Sequence, residues 1–172
     1  KYLTTNGSAT SWGSINTGAL LQLQSTTKTD TESWGNTYGN WLGTGVSVNI
    51  TPSSSSSKIY IIANIYASRG EDGDRADLRL LRTINTTHTA VGNGTNGFAG
   101  LVEQSGYSDS YNNAFEAGQS FVHNYLDSPA TTTECTYQIQ IRPEGYGSDT
   151  YINRDKAGTV TYASTITAME IA

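Results

Sequence analysis

The sequence predicts an all-β domain, a β-sandwich or jelly roll, on three observations. Short runs alternate apolar and polar residues with the period of two of a half-buried strand. Gly, Ser, Thr and Asn take the place of the Leu, Lys and Glu of helical proteins, with 18 glycines beside a hydrophobic fraction of only 35%. The runs are short and separated by Gly, Pro and Asn turns, which gives about eight strands joined by irregular loops. At 172 residues the chain suits one domain with a real core.

Residues 1–18, KYLTTNGSATSWGSINTG, lack sustained periodicity and are broken at Asn6-Gly7 and Trp12-Gly13, so they read as a connector. The domain proper is expected over 19–172. Its first strand covers Leu20 to Thr27. The segment from Asp30 to Gly45 sets Trp34, Tyr38 and Trp41 among glycines and polar residues. That pattern fits either a loop covering the edge of the core or a recognition surface of rigid rings with adaptable hydrogen bonding. Val46, Val48 and Ile50 then alternate with Ser47, Asn49 and Thr51, and Pro52 with the serine run Ser53–Ser57 ends that strand. The serines lie between two strands and read as a hairpin-type loop, not a domain linker.

Lys58 to Ala67 is apolar on both faces, with Ile59, Ile61, Ala63 and Ile65 on one side and Tyr60, Ile62 and Tyr66 on the other. Such a strand is expected to be buried on both sides, by a second sheet or by another subunit. Ser68 to Ala76 is a charged turn holding Arg69 and Asp72. Asp72, Asp74 and Asp77 lack the remaining ligands of a calcium loop. A strand follows over Asp77 to Ile84. Residues 86–118 are mostly loop, and Tyr107 and Tyr111 in a Ser/Asp/Asn background make a second candidate recognition loop. Phe121–Leu126 and Glu134–Ile141, with Asp127-Ser128-Pro129-Ala130 between them, predict an antiparallel hairpin or near-hairpin at the centre of the domain. A glycine-flanked turn around Tyr146, a short strand over Thr150–Asn153 and a closing strand over Ser164–Ile171 complete the chain.

The net charge of −5 and pI near 4.8 argue against a general nucleic-acid binder, which needs a basic field to displace phosphate counterions. No apolar run reaches the ~20 residues of a membrane-spanning helix. One cysteine excludes an internal disulfide, and the apolar register of Cys135 predicts a buried structural thiol. His88, His123 and Cys135 cannot supply a zinc set from Cys/His positions alone. His123 alternates with Phe121 and Tyr125 and is expected to be packed and hydrogen-bonded. Nucleophile-elbow, phosphate-loop and dinucleotide fingerprints are missing. Glu103, Asp109, Glu116, Glu144 and Asp149 are the acidic loop residues from which a glycosidase pair would have to come. No cofactor and no enzymatic activity are expected.

The segments TPSSSSSKIYIIANIYAS (51–68), LRLLR (78–82), LDSPATTTECTYQIQIRPEGYGSDTYINR (126–154) and ASTITAMEIA (163–172) resemble a C-terminal domain of tail-fibre and related receptor-binding proteins of tailed bacteriophages, particularly those of marine and cyanobacterial hosts. The opening YLTTNGSATSWGSI is similar to the connector between stalk and tip in such fibres. The resemblance implies a homotrimer of β-sandwich protomers at the distal end of a virion fibre, preceded by the rest of the fibre and contacting a host-surface glycan or protein. It implies no cofactor and no universal catalytic set, and neither a nucleic-acid partner nor membrane insertion is expected. Its loops are the least patterned part, so the candidate receptor contacts are Trp34, Tyr38, Trp41, Arg69, Asp72, Tyr107, Tyr111 and Tyr146. A trimerisation or capping module of a virion fibre is the alternative, and a glycan depolymerase tip is a third reading.

Overall fold

The computed structural model describes residues 2–5, 10–13, 19–35, 39–69, 76–101, 118–144 and 149–172. Among them lie strands β1 (Tyr2–Thr5), β2 (Thr10–Gly13), β3 (Leu20–Lys28), β4 (Glu32–Trp34), β5 (Leu42–Ile50), β6 (Lys58–Arg69), β7 (Ala76–Ile84), β8 (Thr87–Ala90), β9 (Ala99–Leu101), β10 (Gln119–Asp127), β11 (Cys135–Pro143), β12 (Thr150–Ile152) and β13 (Ser164–Ile171). Period-two alternation sets the burial of the long strands. On β11 Cys135, Tyr137, Ile139 and Ile141 are buried, on β5 Val46, Val48 and Ile50, and on β6 Ile59, Ile61, Ala63 and Ile65. These rows meet in one core between two sheets. Cys135 is a buried free thiol within it, as its register predicts.

The pairing is nested and antiparallel throughout: β3 with β13, β5 with β11, β6 with β10, and β7 with β8. Cross-pairs β13–β6 and β11–β7 close these into one sheet ordered β3-β13-β6-β10 and a second ordered β5-β11-β7-β8. Short strands extend the two sheets: β12 continues along the β13 edge of β6 and carries β4, and β9 lies beside β7. Among the eight strands of these two orders, first pairs with last and second with next-to-last, wound so that the chain passes repeatedly between sheets, which is the jelly-roll topology. β1 and β2 pair with each other as a separate two-stranded sheet.

The hairpin expected over Phe121–Ile141 does not form. β10 pairs with β6 in the first sheet, and β11 pairs with β5 and β7 in the second. The connection between them crosses the sandwich instead of reversing within a sheet. Pro129 lacks an N–H for a ladder, and Ala130 takes a left-handed φ of 53°, so the regular pairing stops there. The serine run is a short turn between β5 and β6, closed by the Ser57 N–H donating to the Ser54 carbonyl at 3.1 Å.

The outward side of the first sheet carries rows read across four strands: Leu126–Tyr60–Met169–Leu23, Asn124–Ile62–Thr167–Ser25 and Val122–Asn64–Thr165–Thr27. No charged residue stands in these rows. Val122 is 64% exposed, Leu23 50% and Leu126 46%. The outward side of β6 is therefore apolar but uncovered at Ile62, while Tyr66 is covered by Tyr162 in a stack with centroids 3.7 Å apart.

Candidate ligand-binding face

The outward side of the second sheet is a polar grid set by register. Arg142 stands opposite Asp77, Gln140 lies between Gly43 and Arg79, Gln138 between Ser47 and Leu81, and Thr136 between Asn49 and Thr83. A bulge interrupts β5 opposite Ile139, where the register shifts between Gln138 and Gln140. Gly45 takes φ +72° there, and the Thr44 hydroxyl donates to the Ile139 carbonyl at 2.7 Å, filling the gap in the ladder. With Leu42 paired to inward-facing Ile141, the preceding residue, Trp41, faces outward beside Arg142.

Two guanidinium groups converge on the Trp41 ring, Arg79 at 4.3 Å and Arg142 at 4.8 Å from its centroid. Gly97 seats the far edge of the indole. At φ +105° a β-carbon on it would stand 2.1 Å from the Leu78 carbonyl oxygen and 3.4 Å from the ring. The arginines differ in their compensation. Arg142 donates to Asp77 at 2.6 Å, and its Nε lies 2.5 Å from Glu144 Oε1 as an ion pair without an aligned hydrogen bond. Arg79 donates from Nε to the Gln140 amide oxygen at 2.8 Å, and among the described residues no carboxylate lies in ion-pair range of it. Partial burial, and then the neighbouring Arg142 charge, hold the Arg79 pKa below its ordinary value. The grid continues to the sheet edge, where Ser47 and Asn49 join Gln24, Ser25 and Thr26 around an open polar groove between β5 and β3.

Of the sequence-predicted contacts, Trp41 lies on this face. Trp34 does not: it ends β4, pairs with Thr150 in the other sheet and packs half-buried on the core. Arg69 closes β6 opposite Thr150. Tyr38, Asp72, Tyr107, Tyr111 and Tyr146 lie outside the described residues. Arg79, Gln140 and Arg142 escaped the sequence reading. Their outward parity was visible in LRLLR and QIQIRP, but their convergence on Trp41 depends on cross-strand register. His123 is packed as expected, stacked on Phe98 with centroids 4.1 Å apart, but its buried Nε2 has no hydrogen-bond partner.

No protein-family model matches the chain, and no curated protein matches it. Among solved structures it is similar to the infectious bursal disease virus Gt strain at 11% identity and TM-score 0.47, over 100% of this chain and 42% of that one. It is also similar to the VP2 subviral particle of infectious bursal disease virus, at 13% identity and TM-score 0.44, over 88% of this chain and 38% of that one. The chain thus spans about two-fifths of the length of these proteins. The jelly-roll assignment rests on the strand order.

Proposed function

We propose that the chain is a non-enzymatic recognition module of a virion, of the tail-fibre-tip kind, that binds a host-surface glycan or protein through the outward side of its second sheet. The observation that carries this reading is the Trp41 site: an indole fixed by two guanidinium groups beside a grid of Gln, Ser, Thr and Asn side chains. Rigid aromatic surface with amide and hydroxyl partners suits a polyhydroxylated ligand. The segments that carry the fibre resemblance fall mainly on β6, β7, β11, β12 and β13; Arg79, Gln138, Gln140 and Arg142 lie within them as outward positions, whereas Trp41 lies outside them.

Self-association as a homotrimer is part of the same reading. The charge-free rows on the first sheet place no carboxylates against each other when copies meet, in a chain of net charge −5. Several weak sites on one assembly then gain avidity from effective concentration. Asp77 and Glu144, which flank the Trp41 site, are already engaged with Arg142, which favours binding over hydrolysis.

A purely structural capping module is the second reading, favoured by the same apolar rows. Binding of labelled protein to candidate host cells and to their extracted glycans, measured beside sedimentation equilibrium, separates the two. Saturable binding by a trimer supports recognition; a trimer that binds neither cells nor glycans supports capping.

A further inference from the structure

Arg79 and Arg142 rest on one indole, yet among the described residues only Arg142 has carboxylates to balance it. A partly buried guanidinium without a counter-charge is unfavourable unless something pairs with it. Arg79 is also pre-positioned. Its guanidinium carbon lies over the Trp41 ring, and the Nε bond to Gln140 ties the group to β11. With Nε engaged, the Nη end of the group presents a planar fork that matches a carboxylate in a bidentate pair.

We propose that Arg79, braced by Trp41 and Gln140, is the anchor for the carboxylate of an acidic saccharide, with the Gln138 and Gln140 amides as partners for neighbouring sugar hydroxyls. This rests on the reading of the face as a glycan site and names the class of glycan. Arg142 is the positioning residue: its charge is spent on Asp77 and Glu144, and it holds the indole beside Arg79. The depressed Arg79 pKa agrees with a cation awaiting a counter-charge. Because the protein is acidic as a whole, the carboxylate is recognised at short range and not steered in from a distance.

The test uses matched probes: sialyllactose against lactose, and oligogalacturonate against its methyl ester. Each is titrated into the wild-type chain and into Arg79→Gln and Arg79→Lys by calorimetry, with thermal melting as the folding control. The expected result is binding of a free acid and loss of about tenfold or more in affinity for its neutral counterpart, as for a charge-assisted hydrogen-bonded pair. Arg79→Gln should lose acid binding to the same degree. Arg79→Lys, which keeps the charge but not the fork, should fall between. Equal binding of acid and neutral probes, or acid binding unchanged in Arg79→Gln, overturns the proposal while glycan recognition stands. Binding of none of the four overturns the proposal, and glycan recognition then falls separately if extracted host glycans also fail to bind.

Discussion

Arg82 and Asp127 join the two sheets at one end of the core: Arg82 Nη1 on β7 donates to both carboxylate oxygens of Asp127 on β10, at 2.9 and 2.7 Å. The Tyr137 hydroxyl donates to the same carboxylate at 2.7 Å from β11. Burial works against the Arg82 charge, but the hydrogen bond and charge of Asp127 outweigh it and raise the Arg82 pKa. For Tyr137, burial and then Asp127 push the phenol far above its ordinary range, so it stays a donor. Three strands from two sheets meet on one carboxylate.

Removing that carboxylate strands a mostly buried cation. Asp127→Ala should destabilise the domain by about 3 kcal/mol, near the lower end for breaking a buried pair. Tyr137→Phe, which leaves the ion pair intact, should cost about 1 kcal/mol. Urea unfolding of both variants checks the order; equal losses would mean that the ion pair adds nothing beyond the hydroxyl.

Glu170 predicts the acid limb of stability. Burial alone would raise its pKa, but hydrogen bonds from Ser53, Ser57 and Gln22 outweigh burial and lower it from 4.5 to about 2. The Ser53 N–H and hydroxyl donate to one oxygen at 2.7 and 2.6 Å, and Gln22 to the other at 2.6 Å. A depressed folded pKa gives stability that is complete above the unfolded value and lost as pH falls through the folded one. The melting temperature should therefore fall between pH 4.5 and about 2, and Glu170→Gln should flatten that limb.

His123 acts at higher pH and in the same direction. Burial between Phe98 and Tyr125 lowers its pKa below 6.5, and no partner stands at Nε2 to hold a proton. The unfolded chain binds the proton first, so stability drops as pH falls below 6.5, down to the folded pKa. His123→Phe keeps the stack and should remove this part of the pH dependence. Melting curves of the two proteins between pH 7 and 5 read it directly, and parallel curves would contradict it.

The first-sheet rows make a prediction about assembly. Ile62 sits among Asn124, Thr167 and Tyr60 on the outward side and is 36% exposed, so Ile62→Glu should fold normally as a single copy. In an assembly it would bring like charges together. Sedimentation equilibrium should show the proposed trimer for the wild-type chain and a monomer for Ile62→Glu, with little change in melting of the isolated chain. A trimer that survives the substitution would place the contact elsewhere.

The frame was legible because it is written in local parity. The alternation in Val46–Ile50, Ile59–Ile65, Cys135–Ile141 and Ser164–Ile171 fixes which side chains enter the core. Parity does not say which strand is the neighbour. β11 directs an apolar face inward and β10 the face of Phe121, His123, Tyr125 and Asp127, and nothing in either run distinguishes a hairpin from two strands facing each other across a sandwich. The candidate site failed to appear for a related reason. Trp34 and Trp41 share one short segment, yet β4 takes the first into one sheet and β5 takes the second onto the other. Arg79 and Arg142 reach Trp41 only through pairings between residues far apart in the chain, a long-range fact that no short window contains.

The most direct measurement of the recognition claim is binding of wild-type chain and Trp41→Ala to the same panel of extracted host glycans, with thermal melting to establish that both are folded. Removing the indole takes away the platform on which both guanidinium groups rest. The expected result is wild-type binding that falls by about tenfold or more in Trp41→Ala, in the range of a lost aromatic anchor, with the fold retained. Equal binding by the two folded proteins would contradict the claim that this face is the recognition surface.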